Sequence, residues 1–204
     1  MQDDPYFSEI YVLCRKEWSG SAKKLKVYPA LFSPHELDKF TPLKIDFVFC
    51  CLGTTIKVAR TKEAFRLVDR DWVVNLAQWS NKSRVKKFLV VSSLGANSSS
   101  PLFYSRTKGE MEDGVKAAGI LSTMVARPSL LIGKRKIPRK GERFGEVALA
   151  LTKPLLIGPF QKYKAIEGQT VAKALVHLSK LPSQGFRVFE SHLLAELAKS
   201  PQGV

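Results

Sequence analysis

The stretch "IDFVFCCLGTT" spans residues 45–55, and its reading decides the fold. Apolar side chains run nearly unbroken from Ile45 to Leu52, without the alternation of a strand that has one wet face. Such a run marks a strand covered on both sides. It then breaks into Gly53, Thr54 and Thr55, small residues that leave room for something to approach the backbone. The same grammar recurs on either side. "EIYVLC" (9–14) predicts a strand and "LKVYPA" (25–30) a weaker one. "KKFLVVSS" (86–93) predicts a second buried strand, "STMVAR" (122–127) a strand stopped by Pro128, and "GFRVFE" (185–190) a late one. Helical patterns lie between them. In "SPHELDKF" Ser33 can cap a helix, Pro34 suits its first position, and Glu36 completes a capping box. A longer helix is predicted over 61–81, with Ala64, Leu67, Val68, Val74 and Leu76 for its buried face. Another is predicted over 104–118, closed by Gly119, and further helices over 143–152, 169–180 and 191–199. Strands alternating with helices argue for an α/β domain with a parallel sheet and helices on both faces. In such sheets ligands bind beyond the carboxyl ends of strands, which is where "LGTT" stands.

The chain has 204 residues, enough for one domain (1–204) with a sizeable core, and 45% hydrophobic against 25% charged residues is an ordinary globular balance. Its charge is not ordinary. Lys and Arg number 33 against 18 Asp and Glu, a formal +15 that favours anionic partners. "KRKIPRKGER" (134–143) holds six of the basic residues and one acid. It reads first as a solvated loop, then as a binder of an anionic substrate such as a nucleotide sugar. No zinc-finger spacing or aromatic-studded motif points to specific nucleic-acid recognition. Weak association with an anionic membrane surface is a further reading of the apolar run 147–160 that follows, although a buried helix accounts for it better. That run is interrupted by Lys153 and Pro154 and is too short to span a bilayer. Cys14, Cys50 and Cys51 have no metal-ligand spacing and lie in apolar runs, so all three are expected as buried free thiols. His35, His177 and His192 likewise form no ligand set. The N-terminus carries no secretory signal, and a cytoplasmic protein is expected.

"YSRTK" (104–108) carries the clearest chemistry. It places a phenol and an ammonium four residues apart, on one face of a helix. A nearby cation favours a phenolate, and bringing a tyrosine from about 10 to about 7 needs roughly 4 kcal/mol. Such a tyrosine can exchange a proton with a hydroxyl or carbonyl while hydride moves at carbon. Ser92 and Ser93 end the buried strand upstream, where a hydroxyl can orient the same substrate oxygen.

With these residues in order, the chain is recognisable. "FVFCCLGTTIKVARTKEAFRLVDRDWV", "FLVVSSLGA", "YSRTKGEME" and "ARPSLLIG" resemble the atypical short-chain dehydrogenase/reductases of the Tat-interactive protein oxidoreductase-like branch, along essentially the whole chain. The resemblance implies a Rossmann-like doubly wound parallel sheet. It implies that Tyr104 is the general acid/base, that Lys108 holds the cofactor ribose and tunes the tyrosine, and that Ser93 orients the substrate with Ser92 beside it. Leu52, Gly53 and Thr54 would border the dinucleotide, and Arg127 and Pro128 would lie near the nicotinamide. Arg15, just past the first strand, matches the reader of a 2′-phosphate, with Lys16 assisting, so NADP is the cofactor expected and NAD the alternative. Asp69 stands where many extended members carry asparagine. The substrate is expected to be a small carbonyl, alcohol or nucleotide sugar, shaped by an insertion over 134–168.

One departure stands out. None of the 13 glycines forms GxGxxG or GxxGxxG, the turn that brings backbone and helix N-terminus to a pyrophosphate. The fold is therefore expected to be incomplete at the N-terminus, beginning roughly 20 residues late. In the order 3-2-1-4-5-6 the strand affected is central. Either its two neighbours meet directly or two edges go unpaired. On this reading the chain is an oxidoreductase- or epimerase-like protein whose cofactor binding is weak or lost. The alternative is a non-catalytic, truncated binding or regulatory protein that kept the scaffold.

Overall fold

The computed structural model describes residues 1–15, 24–133 and 158–200. Lys16, the basic segment 134–143, the helix expected over 143–152 and most of the insertion expected over 134–168 lie outside the described residues. The run at 45–55 forms strand β3, but only Phe47–Cys50 joins the ladder. β3 pairs in parallel with β4 (Lys87–Val91), β4 with β5 (Ser122–Arg127), and β5 with β8 (Gly185–Glu190). Two-residue strands β6 (Leu131–Ile132) and β7 (Ile166–Glu167) make a small parallel pair of their own, which the sequence did not announce.

The strand period of two divides the core between the faces of this sheet. Phe88, Val90 and Val125 point to one side, where they meet Leu37 of α1 (Pro34–Asp38), Val73, Leu76 and Ala77 of α4 (Trp72–Lys82), and Met111 and Val115 of α5 (Phe103–Ala117). Leu89, Met124 and Ala126 point to the other, against Val171, Leu175 and Leu178 of α6 (Gly168–Lys180) and Leu194 of α7 (Ser191–Leu197). Each fully buried side chain of this size contributes about 1.5–3 kcal/mol, so a sheet clad on both faces holds the fold. Lys87 begins β4 yet is buried, because its Nζ donates to the carbonyls of Leu178, Ser179 and Leu181 at the end of α6. It thereby satisfies acceptors that a helix C-terminus leaves open, while burial pushes its ammonium below the ordinary lysine range.

The helix expected over 61–81 is present but interrupted. It comprises α3 (Lys62–Arg66), capped by Thr61, then a π turn over Leu67–Asp71, then α4. The Trp72 N–H reaches back to the Leu67 carbonyl, five residues earlier. A short α2 (Ile56–Ala59) precedes it, with the Thr55 side chain accepting from the Val58 N–H.

The two N-terminal strands, β1 (Ile10–Cys14) and β2 (Leu25–Pro29), pair in parallel with each other and form a separate two-stranded sheet. Among the described residues no ladder joins β1 to β3. Of the two outcomes open at that point, the strands do not meet; packing replaces pairing. Phe7 lies 6.2 Å from both Phe47 and Phe49, Leu13 packs on the core, and Asp4 pairs with Lys180 of α6 at 2.7 Å.

The expectation of three buried thiols is corrected. Cys50 is buried, and burial pushes its thiol up to about 12, but Cys14 is half-buried and Cys51 exposed. The ladder ends at Cys50 opposite Val90, so the next residue turns outward where no neighbouring strand covers it. Among the described residues no helix is long and apolar enough to cross a membrane.

Candidate active site

Beyond Cys50 the chain leaves the sheet as an extended segment through Gly53 and Thr54. Neither threonine is idle. Thr55 caps α2, while the Thr54 N–H donates to Asp69 Oδ2 at 2.7 Å. The other oxygen of the same carboxylate meets Lys108 Nζ at 2.7 Å. Both side chains of that ion pair are almost wholly buried, at 2% and 5% exposure. One carboxylate thus gathers three elements: the loop after β3, the π turn, and α5. Arg15, at the carboxyl end of β1, reaches the same helix one turn on, its guanidinium 5.4 Å from the Trp72 ring centroid.

The end of β4 is drawn to α5 by a backbone contact. Asn97 N–H donates to the Ser105 carbonyl, and a Cβ built on Gly109 would stand 2.0 Å from Ser98 N. Only glycine lets loop and helix approach so closely. The loop is also tied across the sheet, with Ser92 N–H donating to Ala126 and Leu94 N–H to the Pro128 carbonyl. Ser92 and Ser93 are only 6% and 9% exposed, yet neither Oγ has a partner among the described residues. Buried hydroxyls are normally satisfied, so two orphans side by side at a strand end are unusual.

Of the residues expected from sequence, the structure brings Thr54 and Lys108 together through Asp69, and sets Ser93 and Tyr104 on the loop and helix that meet at Gly109. Tyr104 is 45% exposed and its ring lies 5.8 Å from Phe65; its hydroxyl bonds no other described residue. Leu52 is half-buried against the core and Gly53 exposed. Arg127 is turned inward instead. Its Nε donates to Glu112 Oε1 at 2.9 Å and Oε2 at 3.2 Å, and this clamp between β5 and α5 raises the guanidinium further above its usual range. Sequence reasoning did not give Asp69, Gly109 or Glu112 a role. A glycine inside a helix costs about 1 kcal/mol relative to alanine, so Gly109 was the one with a readable signal.

A dinucleotide suits these residues in part. The orphaned hydroxyls and the buried lysine fit a polar ligand at the nicotinamide and ribose end, while no glycine-rich turn for the pyrophosphate is found among the described residues.

The comparisons agree with the architecture. In shape the chain matches the Bordetella bronchiseptica enzyme WbmG in complex with NAD and UDP, with a TM-score of 0.63 at 15% identity, over 90% of this chain and 64% of that one. The fold is accordingly that of the Rossmann-type α/β proteins. No family model matches. The chain is 30% identical over 171 residues to the HTATIP2 protein of Rattus norvegicus, covering 82% of this chain and 69% of that protein. It is 32% identical over 139 residues to the mitochondrial protein FMP52 of Candida albicans, covering 66% of this chain and 61% of that protein, less than two thirds of its length. The chain belongs to the family of HTATIP2 and FMP52, within the short-chain dehydrogenase/reductase superfamily.

The expected cytoplasmic location is corrected by the same comparison. Relatives from several fungi carry names that place them in mitochondria. Reading the N-terminus for a secretory signal had no bearing on this, because an organelle address is a different signal.

Proposed function

We propose that the chain is an NAD(P)-dependent oxidoreductase or epimerase-like enzyme acting on a carbonyl, an alcohol or a nucleotide sugar. The observation that carries this reading is the pair of buried hydroxyls, Ser92 and Ser93, that have no partner among the described residues and lie beside the helix of Tyr104 and Lys108. In the proposed roles Ser93 Oγ donates to the substrate oxygen and Tyr104 gives that oxygen a proton on reduction or takes one on oxidation. Lys108 holds the ribose, Leu52, Gly53 and Thr54 line the dinucleotide, and Arg15 with Lys16 favours NADP through its 2′-phosphate. Pro128 sits near the nicotinamide, and Arg127 acts there by bracing α5. The dinucleotide, when bound, accepts or supplies the hydride. WbmG, the structural neighbour solved with NAD and UDP, supports a nucleotide-sugar substrate.

Titration with NADPH and NADH, followed by turnover of carbonyl substrates, tests the reading. Tyr104→Phe should lower turnover about 10²–10⁴-fold while leaving dinucleotide affinity nearly unchanged. Unchanged turnover removes Tyr104 from the chemistry. A chain that binds neither dinucleotide supports the non-catalytic alternative, which the commitment of Lys108 to Asp69 favours.

A further inference from the structure

Close to Tyr104, two cations share one aromatic ring. Lys62 Nζ stands 5.4 Å and the Arg66 guanidinium carbon 5.5 Å from the Phe103 ring centroid. Phe103 and Tyr104 both pack on Phe65, at 5.7 and 5.8 Å, so one buried ring ties the cation pair to the candidate acid/base. We propose that Lys62 and Arg66 form a subsite for a phosphate or diphosphate group of the substrate whose reacting oxygen meets Tyr104. The proposal rests on the proposed function and narrows it, from three open substrate classes to a phosphorylated one.

Three observations carry it. Lys62 and Arg66 are the first and last residues of α3, four apart and therefore on one face, where like charges repel and weaken a helix. An anion between them turns that repulsion into attraction. Neither charge, moreover, is well offset where it stands. Among the described residues Lys62 makes no ion pair, and neither does Glu63 beside it. Arg66 reaches Glu110 only at 3.4 Å, and Arg70 already holds that carboxylate at 2.8 Å. The Arg66 Nε is buried and has no acceptor among the described residues, an uncommon state for a guanidinium N–H. Finally, the Phe103 ring restrains both cations, so less freedom is lost when an anion binds. A phosphate has the charge and the oxygens to serve a guanidinium and an ammonium together. A neutral carbonyl or alcohol substrate offers the pair nothing to bind.

The dinucleotide carries phosphates too, and the test separates the two sources. The probes are uridine diphosphate, inorganic pyrophosphate and, as the uncharged counterpart, uridine, titrated by calorimetry into the full chain with NADP present. Lys62→Met and Arg66→Met each remove a charge while keeping an apolar stem for the ring. Lys39→Met, just after α1, removes a like charge elsewhere and controls for the general positive field of the chain. Uridine diphosphate is expected to bind at least tenfold more tightly than uridine, and Lys62→Met and Arg66→Met should each weaken it about tenfold. Their affinities for uridine and NADPH should stay at the wild-type values, as should those of Lys39→Met for every probe. A wild-type chain that binds neither uridine diphosphate nor pyrophosphate overturns the proposal. So does uridine diphosphate bound equally well by both variants, or an equal loss in Lys39→Met. A parallel loss of NADPH affinity overturns it as well, because the cations then serve the phosphates of the dinucleotide. Each of these results leaves the proposed function standing, with a carbonyl or alcohol substrate. If Arg66→Met does not fold, Lys62→Met, at an exposed position, decides by itself. A wild-type chain that binds neither dinucleotide sinks both the subsite and the proposed function.

Discussion

The four-stranded sheet and the N-terminal two-stranded sheet are covered to very different degrees, and the candidate site is divided between them. β4 lies in the middle of the larger sheet, with four of its five residues buried and helices on both faces. β1 and β2 are nowhere fully buried, and only Leu13 of β1 packs against the core. Ser93, Tyr104 and Lys108 belong to the larger sheet and its helices. Arg15 stands at the end of the smaller one. The residues assigned to proton transfer therefore sit on the sheet that carries both core clusters, and the one assigned to cofactor choice beside a pair of strands with little buried packing. Perturbing the first should cost stability and geometry together, whereas perturbing the second should change selectivity with little effect on stability.

The strongest blow to the larger sheet is Gly109→Ala. The new methyl would overlap Ser98 N and Asn97 C, backbone atoms that cannot swing aside. Either α5 or the loop carrying Ser92 and Ser93 must move. Chemical denaturation should show a loss of about 3 kcal/mol, accompanied by a loss of turnover. A variant as stable as wild type would mean that loop and helix are not in contact. Next comes Lys87→Met, which leaves three carbonyls at the end of α6 without their donor. It should cost about 2 kcal/mol in the same assay and leave dinucleotide affinity unchanged, since this end of the sheet is far from the strand ends that form the site.

How much of this was legible beforehand depends on how local the signal is. Tyr104 and Lys108 were readable because four residues on one helix fix their relation without tertiary information. The strand at 86–93 was readable because an unbroken apolar run of that length, rich in β-branched residues, fits a strand covered on both faces. Asp69 was not. Its two partners come from distant parts of the chain, and the π turn that aims it leaves no mark in the apolar periodicity of 61–81. The partner of Arg127 was not legible either: the resemblance places this arginine near the nicotinamide, but Glu112, which its guanidinium clamps, lies fifteen residues away with no mark in the sequence. At the junction of the sheets both outcomes stayed open, because pairing or separation there depends on how Phe7, Phe47 and Phe49 pack. The exposure of Cys51 followed from where the ladder stops, which the apolar run overstated by several residues.

On the smaller sheet, Arg15→Ala isolates cofactor choice from stability. Its guanidinium is exposed and rests on Trp72, so its removal takes away little burial. NADPH affinity should fall about tenfold, the loss of one charge-assisted hydrogen-bonding group. NADH affinity and the melting temperature should barely move. Equal losses for both dinucleotides would show that Arg15 supports the fold and does not read the phosphate.

The smallest effect lies at the joint between the sheets. Asp4 accepts from Lys180 on α6 and from the Tyr6 N–H, while its own carbonyl accepts from Lys24 just before β2. The hydrogen bond from Lys180 is the main reason its carboxyl is held below the ordinary aspartate value of 3.8. A carboxylate with a lowered folded pKa binds protons more readily in the unfolded chain. Its contribution to stability is therefore complete above pH 3.8 and is lost as pH falls through the lower folded value. Asp4→Asn should reduce the melting temperature slightly at neutral pH, and the gap from wild type should close on acidification below 3.8. A gap that persists in acid would mean that the pairing with Lys180 does not hold the joint. The aromatic contacts of Phe7 with β3 would then be what keeps the small sheet beside the large one.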